Sequence, residues 1–349
     1  MTDVATARIV DCVGTPASIG QQHGESLRDL IDSTLQAWYA LIVGRGHNPP
    51  ETISTFLAQT SFLPTIEKWA PDLLEEVRGI ALGANQPFAT MLVYNLMDEE
   101  WSYRTGRLGQ QPGCTVIGLP GSGIGQTMDI PSVHDGSQEA LRIKPDSGPE
   151  QIVFTGAGML GLNGANANGV GIVVNNLAQL PSSTTGLPVM FVQRSLLKQS
   201  SRADAVTFAK AAPHAIGQHY LISGPDGITS LEAAANGVYE VPFAGPYVHT
   251  NHPLANPASS ADAVAMETAS NTHARFNQAT ALISSTSDQS AIEQALTDRQ
   301  APISCARREG FMTFGGTSIT QSVPPTVRIA FGPPHEASWT TIDWNTTHA

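Results

Sequence analysis

Gln110-Gln111-Pro112-Gly113-Cys114-Thr115-Val116-Ile117-Gly118, followed after a glycine-rich bend by Gly125-Gln126-Thr127-Met128-Asp129, is the stretch on which the reading of this chain turns. From Thr115 the residues are apolar and rich in β-branched side chains, which predicts a buried strand over 115–119, and 125–130 reads as a second strand. Cys114 therefore stands at the first position of a strand with Gly113 behind it. Glycine has no Cβ, so its carbonyl is open to a neighbouring sulfur and its backbone can hold unusual dihedrals. Pro112 fixes φ and favours an extended or turning approach. On the dipeptide alone the plainer reading is a small buried hydrophobe behind a turn, because free cysteine is commonly buried and inert.

Composition narrows the class. The 349 residues suffice for one large domain or two ordinary ones, and 41% hydrophobic against only 14% charged residues, with 32 Gly and 24 Pro, predicts a strand- and turn-rich globular enzyme. A formal net charge of −12 gives no electrostatic support for binding nucleic acid. Cys12, Cys114 and Cys305 are spread along the chain and odd in number, which argues against a disulfide scaffold and for a reducing compartment. With no basic, apolar leader and no apolar run long enough for a membrane span, the expectation is a soluble cytoplasmic protein that needs no membrane partner.

The pattern changes at Cys114. Before it, apolar residues recur at helical spacing: Leu27, Leu30, Ile31, Leu35, Trp38 and Leu41, then 53–62, 64–82 and 88–96, ending in Asp98-Glu99-Glu100. This predicts a helical layer. After it come short strands with glycine punctuation at 115–119, 125–130, 139–143, 151–155, 169–176, 219–223, 228–233 and 238–241, and again at 313–322 and 326–331. Helices are predicted at 189–199, at 202–211 behind the N-cap Ser201, at 262–284 and at 288–296. With little βαβ rhythm, the fold class is a layered α+β.

Several motifs lead nowhere. Gly156-Ala157-Gly158-Met159-Leu160-Gly161 matches GxGxxG, but no helix opens there and no acidic residue occurs between Glu150 and Asp204, so it is not a dinucleotide turn. His249 and His252 lack a third ligand cluster nearby, which disfavours a metal. Cys114 paired with a distant histidine, as in papain-like enzymes, stays open, although the local signature of those enzymes is absent.

More residues are explained together if the Gly113-Cys114 bond is cut. Cys114 then carries its own base, since a free α-amino group titrates at about 7.7 to 8.0. Such a site needs a carboxylate to orient the amine, and Asp129 returns near Cys114 if 115–119 and 125–130 pair as a hairpin. It also needs amide donors for a tetrahedral oxyanion, for which Asn175, Asn176 and Asn251 are candidates at strand ends, where asparagine also serves as a plain cap.

Gly113-Cys114-Thr115, Gly125-Gln126-Thr127-Met128-Asp129, Asn168 to Leu177, His249-Thr250-Asn251-His252 and Ala330-Phe331-Gly332-Pro333-Pro334 resemble the autoproteolytic family of acyl-coenzyme A:6-aminopenicillanic-acid acyltransferase, with the choloylglycine hydrolases more distant. Gly20-Gln21-Gln22-His23-Gly24 and the helix from Glu75 to Gly83 resemble its leading segment. The resemblance implies the four-layer αββα sandwich of the N-terminal nucleophile hydrolases. It also implies self-cleavage between Gly113 and Cys114 into an α part, 1–113, and a catalytic β part, 114–349, that stay associated.

By the same resemblance Cys114 is the nucleophile, Asp129 holds its amine, Asn251 is the oxyanion donor, Asn176 or its neighbour Asn175 is a second polar contact, and Arg275 supports the nucleophile. Gln126 stands where the choloylglycine branch has arginine, which disfavours a bile-acid substrate. The implied substrate is a small acyl amide or thioester, opened by a thioester on Cys114 and passed to water or to an amine, with no cofactor and no metal. Ile130, His134, the 181–188 loop and Trp339 are candidates to face it. A non-catalytic binding protein with an uncut chain, and assembly as a homo-oligomer, stay open.

Overall fold

In the computed structural model, which describes residues 7–105, 113–257, 270–284, 288–306 and 310–344, the two strands of the opening stretch form the expected hairpin. β2 (Thr115–Leu119) runs antiparallel to β3 (Gly123–Pro131), with Thr115 opposite Thr127 and Leu119 opposite Gly123. One step before that first pair, the register carries Cys114 to Met128 and Asp129.

The hairpin belongs to the smaller of two sheets. Six strands run in the order β11-β2-β3-β12-β13-β14, where β11 is Tyr247–His249, β12 Phe311–Thr320, β13 Val327–Ala330 and β14 Trp339–Ile342. The larger sheet has eight, β1-β4-β5-β6-β7-β8-β9-β10. These are Ile9–Gly14, Gln138–Pro145, Gln151–Gly156, Asn163–Asn166, Gly171–Asn176, Gln218–Gly224, Gly227–Ala234 and Gly237–Glu240 in turn. Every pairing is antiparallel except β1 with β4. The sheets lie face to face: a Cβ at Gly171 of β7 would meet Ile124 and Ile319 of the other sheet. Most strands of both are buried on both sides, which explains near-continuous apolar runs such as residues 172–174 where alternation would mark a half-exposed sheet.

Helices cover the outer faces. α1 (Pro16–Ser26), α8 (Val189–Leu197) and α9 (Arg202–Ala211) pack on the eight-stranded sheet, and α10 (Thr272–Ile283) and α11 (Gln289–Leu296) on the six-stranded one. The result is α+β in four layers, αββα. The other helices are α2 (Arg28–Gly44), α3 (Pro49–Gln59), α4 (Phe62–Trp69), α5 (Pro71–Ala84), α6 (Phe88–Tyr94) and α7 (Met97–Thr105). Among the described residues no helix is long and apolar enough to cross a membrane.

α1 and α5 meet backbone to backbone. A Cβ on Gly20 would fall 1.9 Å from the Glu76 carbonyl oxygen, one on Gly24 2.4 Å from that of Ile80, and one on Gly79 2.2 Å from that of Ala17. Each glycine costs its helix about 0.5–1 kcal/mol relative to alanine. That cost is offset by contact no larger residue permits.

The run 64–82 is not one helix. Pro71 lacks an N–H and crowds the residue before it, so α4 ends at Trp69 and α5 starts afresh with proline in its first turn. The amino-terminal segment also supplies a strand, β1, to the larger sheet, beyond the expected helical layer. β6, β11 and β14 are three or four residues long and carried too little pattern to read. Residues 262–269 of the expected helix 262–284, and the turn 110–112, lie outside the described residues.

Candidate active site

Cys114 is 6% exposed. Its sulfur receives the Asp129 backbone N–H at 3.4 Å and lies 3.6 Å from Met128 Sδ. Its carbonyl accepts from Asn175 Nδ2 at 2.9 Å and from Arg275 at 2.7 Å. The same arginine donates to Thr115 Oγ1 at 3.1 Å, to Asn251 Oδ1 at 2.9 Å and to Asn271 Oδ1 at 2.9 Å. Fully buried in the first turn of α10, it ties β2 to the loop after β11. Burial pushes the Cys114 thiol up to about 12, with the Asp129 carboxylate adding to the effect. Among the described residues no basic side chain bonds this sulfur in the continuous chain.

Asp129 has one satisfied oxygen. A β-bulge in β12, between Thr313 and Gly315, sets Thr313 opposite Asp129, and its hydroxyl donates to Oδ1 at 2.7 Å. Oδ2 is buried with no partner among the described residues. Burial raises the carboxyl to about 7 against the opposing pull of Thr313 and Arg275. A buried acceptor without a donor costs about 1–3 kcal/mol, so this oxygen is poised for a cation or an N–H.

The asparagines separate by role. Asn175 is fully buried and reaches the Cys114 carbonyl, whereas the Asn176 side chain faces the cavity and its carbonyl accepts from Asn251 Nδ2 at 2.9 Å. Asn251 packs against Gly113: a Cβ there would fall 1.9 Å from Asn251 Oδ1 and 2.8 Å from Arg275. Only glycine fits at residue 113. Gln126 turns toward the other sheet, its Oε1 accepting the Val174 N–H at 2.7 Å.

Cys114, Met128, Asp129, Ile130, His134, Val174 and Asn176 line a cavity. Its roof was not legible from sequence. Trp38, Leu41 and Ile42 of α2 and Met97 and Trp101 of α7 supply apolar surface, and Val189 and Met190 of α8 close another side. At one end Arg45 stacks 3.9 Å from the Trp101 ring, and Arg104 pairs with Glu100 at 2.7 Å. Burial raises Asp98, also in the wall, to about 6. The signal in the sequence is Asp98-Glu99-Glu100 beside Trp101: the acidic cluster opens α7 and does not only close the helix before it.

Of the pocket candidates, Ile130 and His134 line the cavity. Tyr94 bonds His134 Nδ1 at 3.2 Å, and burial lowers that imidazole to about 4. Trp339 lies on β14 packed against Gly316, outside the lining, because β14 is the far edge of its sheet. The 181–188 loop bonds instead to α4 and its approach, through Ser61 to Thr184 and Thr65 to Thr185. Among the described residues no cluster of His, Cys, Asp or Glu suits a metal ion.

A family model described as acyl-coenzyme A:6-aminopenicillanic acid acyl-transferase matches residues 121–335. Among solved structures, penicillin V acylase from Agrobacterium tumefaciens is similar over 64% of this chain and 77% of its own, at 14% sequence identity and a TM-score of 0.35.

Proposed function

The chain belongs to the acyl-coenzyme A:6-aminopenicillanic acid acyl-transferase family, and from that premise we propose that it is a self-processing cysteine enzyme which opens an acyl-amide bond through a thioester on Cys114. The observation that carries the reading is the unpartnered Asp129 Oδ2 beside a buried Cys114. Cleavage before Cys114 frees an α-amino group at that position, and an ammonium there meets the vacant carboxylate oxygen. In its neutral form that amine accepts the thiol proton, and the ammonium so formed then stands beside the thiolate as a positive charge, countering the two effects that raise the thiol.

In turnover the amine takes the thiol proton as sulfur adds to the amide carbonyl. Asn251 and Asn176 supply amide donors for the oxyanion, which requires the Asn251 amide to leave the Asn176 carbonyl or share it. The protonated amine then gives its proton to the departing nitrogen, leaving a thioester. Water attacks it in a hydrolase and a second amine in an acyltransferase, and both use the same groups. The apolar walls favour an acyl chain as the buried part of the substrate.

Intact mass and denaturing electrophoresis test this. Wild type should separate into residues 1–113 and 114–349, Cys114→Ala should stay whole, and incubation with a panel of acyl amides should add an acyl mass to the second fragment. A whole wild-type chain that takes up no acyl group would remove the proposal and leave a non-catalytic binding protein.

A further inference from the structure

We infer that His219 is a positioning residue for the nucleophile, acting through Asn175, and that the histidine stacked on it, His249, steadies the loop that carries Asn251. The inference rests on reading Cys114 as the nucleophile.

Asn175 Nδ2 donates to the Cys114 carbonyl, so its Oδ1 must meet a donor. Asn175 stands opposite His219 in the β7–β8 register, and His219 Nδ1 lies 3.0 Å from that oxygen. With the proton on Nδ1, Nε2 is an acceptor, and Ser230 Oγ reaches it at 2.9 Å while bonding the Tyr247 hydroxyl at 2.7 Å. Every group in this series is buried. Two arrangements satisfy all of them, Tyr247 to Ser230 to His219 or, since the Tyr247 hydroxyl also lies 3.4 Å from Nε2, Ser230 to Tyr247 to His219; in both, Nε2 accepts and His219 donates to Asn175, which donates to Cys114. Reversing the Asn175 amide would set two buried carbonyl oxygens 2.9 Å apart. Burial, with His249 adding, holds His219 well below its usual range, so the ring stays in the neutral form this series needs.

The second half runs through the stack. The His219 and His249 rings lie 3.7 Å apart and within 1° of parallel. His249 Nε2 meets Glu232 Oε1 at 3.0 Å, and the Glu232 carboxylate also collects the N–H groups of Leu254, Ala255 and Asn256. Burial alone would raise Glu232, but the hydrogen bonds from His249 and these amides outweigh it and keep the carboxylate ionised. One carboxylate thus fixes both the imidazole and the turn that follows Asn251. The stack joins strands of different sheets, β8 and β11, behind the two asparagines.

Nitrogen-15 spectra of histidine-labelled protein test the inference without any substrate. His219, assigned by its loss in His219→Asn, should carry its proton on Nδ1 with Nε2 bare. The opposite tautomer overturns the inference. Turnover of hexanoyl p-nitroanilide tests the consequence: in His219→Leu, kcat should fall by about ten- to a hundredfold with KM little changed. His219→Asn, whose side-chain amide sits where Nδ1 does, should recover most of the rate. His219→Gln, which reaches toward Ser230, should not. Wild-type kcat in His219→Leu overturns the inference, whereas no turnover by wild type itself counts against the acyl-amide reading and leaves the tautomer to decide this one.

Discussion

Thr313 stands directly opposite Asp129 because β12 carries one extra residue there, and its hydroxyl satisfies Oδ1 while Oδ2 is left without a donor. The folded chain raises this carboxyl to about 7, against about 3.9 for a free aspartate. It therefore binds a proton more tightly folded than unfolded, and stability falls as pH rises from about 4 to about 7 and stays lower above. In a Cys114→Ala background, which has no thiol for cleavage, Asp129→Asn should raise the melting temperature at pH 8 and make little difference at pH 4. Equal melting at both values would show that the carboxylate carries no such penalty.

Gly113→Ala puts a methyl group where Asn251 Oδ1 now lies. Either the backbone at the bond proposed to break or the Asn251 and Arg275 side chains must shift, and a misplacement of about 1 Å costs about a hundredfold in rate. The fragment beginning at residue 114 should form that much more slowly, as followed by intact mass over time.

Arg275→Leu removes four hydrogen bonds and leaves the Cys114 carbonyl and two asparagine oxygens short of a donor. The Cys114 carbonyl keeps Asn175 Nδ2 and both asparagine oxygens are only partly buried, so each loss falls toward the low end of about 1–3 kcal/mol. Urea titration should show a large fall in midpoint, and cleavage should slow with it. Arg275→Lys has one donor group for four acceptors spread over the start of β2, the loop after β11 and the cap of α10, and should restore little.

Gly79→Ala drives a Cβ to 2.2 Å from the Ala17 carbonyl and should destabilise by about 1–3 kcal/mol, seen as a lowered thermal midpoint. Gly44→Ala is the control. It ends α2, nothing lies within 4 Å of its Cβ, and it should leave stability unchanged or raise it by up to about 1 kcal/mol.

If the cavity holds an acyl chain, kcat/KM for a series of acyl p-nitroanilides should rise about fourfold per methylene, the worth of about 0.8 kcal/mol of burial, until the space is filled. Val189→Phe narrows one wall and should bring the plateau at a shorter chain. A flat series would argue that the acyl group lies elsewhere.

What sequence disclosed was local. The hairpin followed from β-branched runs around a glycine bend, and the reach of Asp129 back to Cys114 followed from the hairpin. Asn175 and Asn176 were visible as a doublet, but which of them faced Cys114 depended on the strand's twist and on His219, a residue with nothing in its surroundings to distinguish it from any core histidine. Arg275 lies 161 positions from Cys114, and only family resemblance pointed to it. The cavity roof was hidden for two reasons: α2 is far from the nucleophile along the chain, and α7, though close in sequence, opens on Asp98-Glu99-Glu100, which reads as the end of a helix. β1 went unread because its outward-facing Ile9 and Val13 are apolar and hide its alternation in burial, and β14 because it has only four residues.

β1 has a consequence for any break between residues 113 and 114. It lies beside β4 in the eight-stranded sheet, and the buried ion pair of Glu76 on α5 with Arg194 on α8, at 2.7 Å, crosses the same divide. Two polypeptides so joined would share a single interior, neither able to shed the other without denaturing. Severing the backbone would create a new chain terminus at the nucleophile without creating a separable subunit, so the pair should co-purify, melt in one transition and resist exchange with free fragments.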